Sequence, residues 1–185
     1  MVMETCKRVL GEKCLSTLIS MDNLALTYLQ LGRWNEAEEL GMRVMGTTER
    51  ALREEHPSTV RSISGLASKY QQQGRWNEAN PLGRRAVAMM KRVFGKEHPD
   101  TLINMANLAL TSQRQGRWEK AEELVVAETE TKKRALGEEH PETLISMGNL
   151  ASTYKTVGRW KEAEELEVTV METMKRCLGR SIRTL

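Results

Sequence analysis

A 42-residue period runs through the chain and restricts it, more than any other feature, to a stack of like units. His56, His98 and His140 recur at that interval, each followed by a proline (Pro57, Pro99, Pro141). Trp34, Trp76, Trp118 and Trp160 keep the same spacing, each inside a Gly-Arg-Trp triplet. Every histidine and every tryptophan of the chain is thus absorbed by one repeat, leaving none for a separate site. A period of this length marks a supersecondary unit that buries its apolar face only by stacking on its neighbours.

Each period reads as helix twice. Met21, Leu24, Ala25 and Tyr28 fall at i, i+3, i+4 and i+7, one apolar stripe, and Met147, Leu150, Ala151 and Tyr154 repeat it. The alanine in the stripe lets a neighbouring helix approach closely. The glycine of Gly-Arg-Trp then ends the first helix, because a left-handed C-cap is easiest for glycine. A second helix opens at the tryptophan and is expected to run to Gly95, Gly137 or Gly179. Trp160, Ala163, Leu166, Val170, Met174 and Cys177 follow its inner spacing. The proline of His-Pro-x-Thr suits the first turn of the next helix, where a missing N–H is no loss. With four prolines and one phenylalanine, an all-β sandwich is disfavoured. The fold class is all-α.

A helix-turn-helix repeat carrying Leu24-Ala25 and Tyr28, then Gly32-Arg33-Trp34 and Ala37, resembles the tetratricopeptide repeat. Its second helix is longer by about two turns than in the usual unit of roughly 34 residues. That longer unit, with linkers such as Leu136-Gly137-Glu138-Glu139-His140-Pro141, is similar to the repeats of kinesin light chain. Pro81, one turn into the second helix of repeat two, adds to the likeness. Similar arrays also form C-terminal segments of NACHT- or NB-ARC-type signalling proteins. The resemblance implies a right-handed α-solenoid. We read residues 1–185 as a single array, with repeats at 15–56, 57–98, 99–140 and 141–182. Residues 1–12 read as a half helix of a preceding repeat, since Met3-Glu4-Thr5 and Lys7-Arg8 match Met171-Glu172-Thr173 and Lys175-Arg176.

Several chemistries find no support in the sequence. Lys+Arg of 28 against Asp+Glu of 25 gives a net charge of +3, too small to argue for nucleic acid or anionic lipid. No apolar run approaches the roughly 18 residues of a membrane span. Three cysteines are too few for a disulfide framework, so a reducing, cytoplasmic setting is expected. No phosphate-cradling loop, nucleophile elbow or His-Glu-x-x-His motif is present, and neither an enzyme nor a cofactor is expected. The histidines read as loop and cap residues rather than metal ligands, because successive helices pack roughly 8–10 Å apart. The tryptophans are expected in the core. Cys6, Cys14 and Cys177 read as small buried hydrophobes. Glu38-Glu39, Glu122-Glu123, Glu164-Glu165, Lys132-Lys133-Arg134 and Lys175-Arg176 read as solvated, dipole-matched charges.

The stripe beside the core stripe on each first helix is the candidate site. It reads Ile19, Asn23, Leu26, Gln30 in repeat one and Ile103, Asn107, Leu110, Arg114 in repeat three. Repeat four has Ile145, Asn149, Ser152, Thr156, whereas repeat two departs with Arg61, Gly65, Ser68, Gln72. By resemblance this face lines a concave groove in which an asparagine grips the backbone of a bound peptide. A carboxamide suits that task, offering donors and an acceptor together. Asn23, Asn107 and Asn149 are the candidate clamps, with Ile19, Ile103 and Ile145 as shallow apolar contacts. Arg61, Arg114 and Lys155 tilt the groove basic and favour a peptide of some acidic character. The alternative is that the asparagines bridge adjacent helices. The expected function is a non-enzymatic module for a protein or peptide partner, as adaptor or as sensor region of a larger protein. The alternative function is a homo-oligomer that stacks through open repeat ends.

Departures from the repeat carry expectations of their own. Ser112 replaces the tyrosine of repeat three, predicting an underpacked interface. Arg53 replaces the linker glycine, so the second helix of repeat one is expected to run on. Gly41, Gly46 and Gly83 lie inside second helices at a cost of about 0.5–1 kcal/mol each. Repeat one is therefore the expected weak link.

Overall fold

The computed structural model describes residues 14–52 and 55–183. They form eight helices: α1 (Leu15–Gln30), α2 (Trp34–Ala51), α3 (Pro57–Gln72), α4 (Trp76–Val93), α5 (Pro99–Arg114), α6 (Trp118–Leu136), α7 (Pro141–Thr156) and α8 (Trp160–Arg183). No strand occurs among the described residues. The fold is an all-α helical solenoid. Two compact units divide it, an N-terminal unit (Met1–Gly95) holding α1–α4 and a C-terminal unit (Lys96–Leu185) holding α5–α8.

The caps read from sequence are built as expected. His56, His98 and His140 are N-caps, and each Nδ1 accepts the backbone N–H two residues on, at 3.1, 3.2 and 3.2 Å. A proline follows as the first helical residue each time. Gly32 and Gly74 adopt φ of +71°, and the N–H of the arginine after each reaches back to the tyrosine carbonyl, at 2.8 and 2.9 Å. This is a Schellman turn, and only a residue without Cβ takes its left-handed position at no cost.

The core sits where first and second helices meet. In the N-terminal unit Leu18, Met21 and Ala25 of α1 pack on Leu40 and Val44 of α2. Val60 and Ile63 of α3 pack on Ala86, Met89 and Met90 of α4. In the C-terminal unit Ala109, Val125 and Leu150 join α5, α6 and α7, with Tyr154 and Leu166 at the margin. The stripes predicted on the first helices thus face the core, with Met21, Ala25, Met147, Leu150 and Ala151 buried, whereas of the stripe predicted on α8 only Ala163 is fully buried.

The tryptophans are not core residues. Trp34, Trp118 and Trp160 are exposed, Trp160 to 65%, and Trp76 is half-buried. As the first residue of its helix each tryptophan leans back over the preceding turn. The inward position belongs to the alanine three residues on, and Ala37, Ala79, Ala121 and Ala163 are fully buried. Met174, also read as interior, is exposed on α8. Cys14 and Cys177 are only half-buried.

Two helix ends differ from expectation. α2 stops at Ala51, and Leu52 is extended (φ −122°, ψ 162°), so the helix does not run on. Arg53 itself lies outside the described residues, as do Cys6 and the half helix expected over 1–12. α8 passes through Gly179 and ends at Arg183. A helical glycine costs only about 1 kcal/mol, and no His-Pro follows Gly179 to start a new helix. No described helix is long and apolar enough to cross a membrane.

The helical glycines have different reasons. A Cβ on Gly41 would stand 3.1 Å from Leu66 Cδ1, so this glycine lets α3 approach α2. A Cβ on Gly46 would meet nothing within 4 Å. Gly46→Ala is therefore expected to stabilise the protein by about 0.5–1 kcal/mol. A raised urea midpoint checks this.

Candidate functional site

The two halves of the candidate stripe behave differently. In the N-terminal unit Asp22 of α1 and Lys69 of α3 form an ion pair at 2.6 Å. The Lys69 side chain is 2% exposed. This latch bridges the first helices, which pack directly on each other. A Cβ on Gly65 would lie 3.7 Å from Asp22 Oδ2, so the clamp position of repeat two faces the latch. In the C-terminal unit Ala106 stands where repeat one has Asp22, and Thr153 where repeat two has Lys69. The first helices α5 and α7 do not pack directly on each other as α1 and α3 do. A cavity of about 300 Å³ opens beside them.

Asn107 and Asn149 both line that cavity, together with Leu110, Gln113, Ser152 and Glu128. Ala106, Ala109 and Val125 supply apolar wall. Gln113 Nε2 donates to Thr153 Oγ1 at 2.9 Å and ties α5 to α7 at one edge. Asn149 is exposed and Asn107 half-buried. Ile103 and Ile145 are exposed on the same stripe without lining the cavity. Asn23 and Ile19 are exposed on α1, in the other unit, as is Arg61 on α3. Arg114 is exposed near the end of α5. Lys155 is paired with Glu167 of α8 at 2.6 Å, so its charge is met within the protein.

Glu128 was not singled out by sequence reasoning. It is 3% exposed, at the floor of the cavity. Its Oε1 accepts from Ser146 Oγ at 2.9 Å and pairs with Lys132 Nζ at 2.8 Å. Lys132 Nζ also donates to Ser146 Oγ at 3.0 Å and lies 3.7 Å from Glu142 Oε2. Lys132 is therefore not a solvated charge. The signal was a break in the repeat: Val44, Ala86 and Val170 occupy the positions matching Glu128, and Met90 and Met174 two of those matching Lys132.

A second network holds consecutive repeats at fixed spacing. Arg75 lies over the Tyr70 ring, 4.5 Å from its centroid, and binds Glu78 at 2.9 Å. It also grips Glu38 of the preceding repeat, whose carboxylate accepts the Tyr70 hydroxyl at 2.9 Å. Hydrogen bonds to Glu38 and Glu78 raise the Arg75 guanidinium above its ordinary pKa. Burial pushes the Tyr70 phenol up, and its bond to Glu38 adds to the shift. Arg159 repeats the pattern over Tyr154, 4.3 Å from the ring centroid, with Glu162 and Glu122 as its acids. Glu38 and Glu122 are thus clasp residues rather than solvated dipole charges. Repeat three has Ser112 for the tyrosine and Lys120 for the acid at i+3, and Arg117 has no ion pair among the described residues. Ser112 is buried, and its hydroxyl donates to the Leu108 carbonyl at 2.9 Å.

The tetratricopeptide repeat model matches residues 23–92, 59–125 and 107–176. The chain belongs to the tetratricopeptide repeat family. Solved structures agree. The kinesin light chain-like, nearly identical TPR-like repeats of Podospora anserina are 32% identical over 95% of this chain and 83% of that one, with a TM-score of 0.86. A substituted form of those repeats is 30% identical over 96% and 84%, with a TM-score of 0.87. BtubC from P. vanneervenii, at 20% identity over 95% and 70% and a TM-score of 0.79, shares the fold. No curated protein matches the sequence significantly. Tetratricopeptide repeats of this type make a protein–protein interaction scaffold.

Proposed function

We propose that the protein is a non-enzymatic, cytoplasmic interaction module that binds a peptide segment in the α5–α7 groove. The observation that carries this reading is the convergence of Asn107 and Asn149 on one cavity with apolar walls. Two carboxamides on successive first helices pair with both the N–H and the C=O groups of an extended chain. Leu110 within the cavity, with Ile103 and Ile145 exposed nearby on the stripe, adds apolar contact. The repeats 99–140 and 141–182 then act together, whereas Asp22 and Lys69 form an ion pair on the matching face of repeats one and two.

The test uses the full chain and an immobilised random decapeptide library. Asn107→Ala with Asn149→Ala is expected to lower the affinity of the selected peptides at least tenfold. Far-ultraviolet circular dichroism should stay at the wild-type value. Unchanged affinity would remove the groove assignment.

A second reading rests on a different surface. Val168, Met171 and Met174 are exposed on α8, while the residue matching Met174 in α2, Thr48, and the residue matching Met171 in α6, Thr129, are buried. A second copy of the chain covering that face would give the self-associating array. Its mark is a mass that rises with concentration above 21.0 kDa in light scattering.

A further inference from the structure

The groove's charge points to its ligand. We propose that the α5–α7 cavity takes a lysine or arginine side chain of the bound peptide, with its cationic end on Glu128. This rests on the groove reading above and names the chemistry that the groove selects.

Glu128 lines the cavity although almost wholly buried. Both of its described contacts, from Ser146 and Lys132, fall on Oε1. Lys132 lies between two carboxylates, at 2.8 Å from Glu128 and 3.7 Å from Glu142, so the cluster keeps a surplus of one negative charge. The rest of the lining points the same way. Gln113 donates its Nε2 to Thr153, which leaves its carbonyl oxygen as an acceptor. No cationic residue is among those lining the cavity, and the nearby Lys155 is engaged by Glu167. Lysine and arginine carry an apolar stem and a cationic tip. Ala106, Ala109, Leu110 and Val125 suit the stem, and the acceptors suit the tip. A carboxylate in this place would face Glu128 at the cost of like-charge repulsion in a poorly solvated site. The acidic peptide expected from Arg61, Arg114 and Lys155 is therefore replaced by a basic one.

The experiment selects random decapeptides, displayed on phage, with the full-length protein and with three variants. Glu128→Gln removes the charge and keeps the shape. Glu128→Ala with Lys132→Met installs the residues of repeat two, Ala86 and Met90, and guards against a folding defect in the first variant. Asn107→Ala with Asn149→Ala tests the groove itself. The expected result is enrichment of lysine and arginine at one peptide position by the wild type, falling at least tenfold in both Glu128 variants. Enrichment that persists in those variants, or an acidic preference of the wild type, overturns the proposal while sensitivity to the asparagine variant keeps the groove. Retention of no peptide, or retention indifferent to the asparagine variant, overturns both.

Discussion

Lys132→Met alone is expected to cost about 3–5 kcal/mol of stability, whereas the same change made together with Glu128→Ala is expected to be neutral or stabilising. The single variant leaves a carboxylate whose side chain is 4% exposed with only the Ser146 hydroxyl for company. An uncompensated buried charge loses far more than the pair gained by forming. The double variant removes both charges and places methionine where repeats two and four already have Met90 and Met174. Urea unfolding followed by circular dichroism reads the difference as a midpoint that falls for the single variant and recovers for the double. Equal midpoints for wild type and single variant would mean that the pair is solvated. That outcome would also weaken Glu128 as the charged floor of the groove.

Asp22→Ala is the matching experiment in the N-terminal unit, with an expected loss of about 3 kcal/mol, the low end for a broken buried pair. The two partners are unequal, because the Lys69 side chain is 2% exposed and that of Asp22 is 34% exposed. Removing the acid strands a buried ammonium. Removing the ammonium leaves an acid that water already reaches. Lys69→Met keeps the length of the buried stem, so adding it to Asp22→Ala is expected to recover most of the loss. Hydrogen exchange at α1 and α3 provides the local reading, with faster exchange in Asp22→Ala than in the double variant. Identical exchange in wild type and Asp22→Ala would contradict the latch.

The helices, caps and turns were legible in the sequence because the repeat displays each of them several times. A glycine that recurs before Arg33, Arg75, Arg117 and Arg159 has a shared backbone reason, and φ is positive at all four. Burial was legible where spacing decides it, as at Met21 and Ala25, and failed where direction decides it. The tryptophans fall on the inner spacing of their helices, yet the lean of a first-turn side chain carries Trp34, Trp118 and Trp160 toward solvent and leaves Trp76 half-buried. The site was half legible. Asn107 and Asn149 follow from position in the repeat. The cavity between them is lined by residues of α5, α6 and α7 together, a juxtaposition that no single stripe displays. Glu128 was hidden for a related reason. A charge run on a second helix looks solvated until the following helix is laid across it.

Amide chemical-shift mapping of the full chain, titrated with the strongest decapeptide from the selection, tests the groove most directly. The groove assignment predicts perturbations concentrated at Asn107, Leu110, Gln113, Glu128, Asn149 and Ser152. Perturbations confined to Val168, Met171 and Met174 on α8, with the cavity residues unmoved, would contradict it.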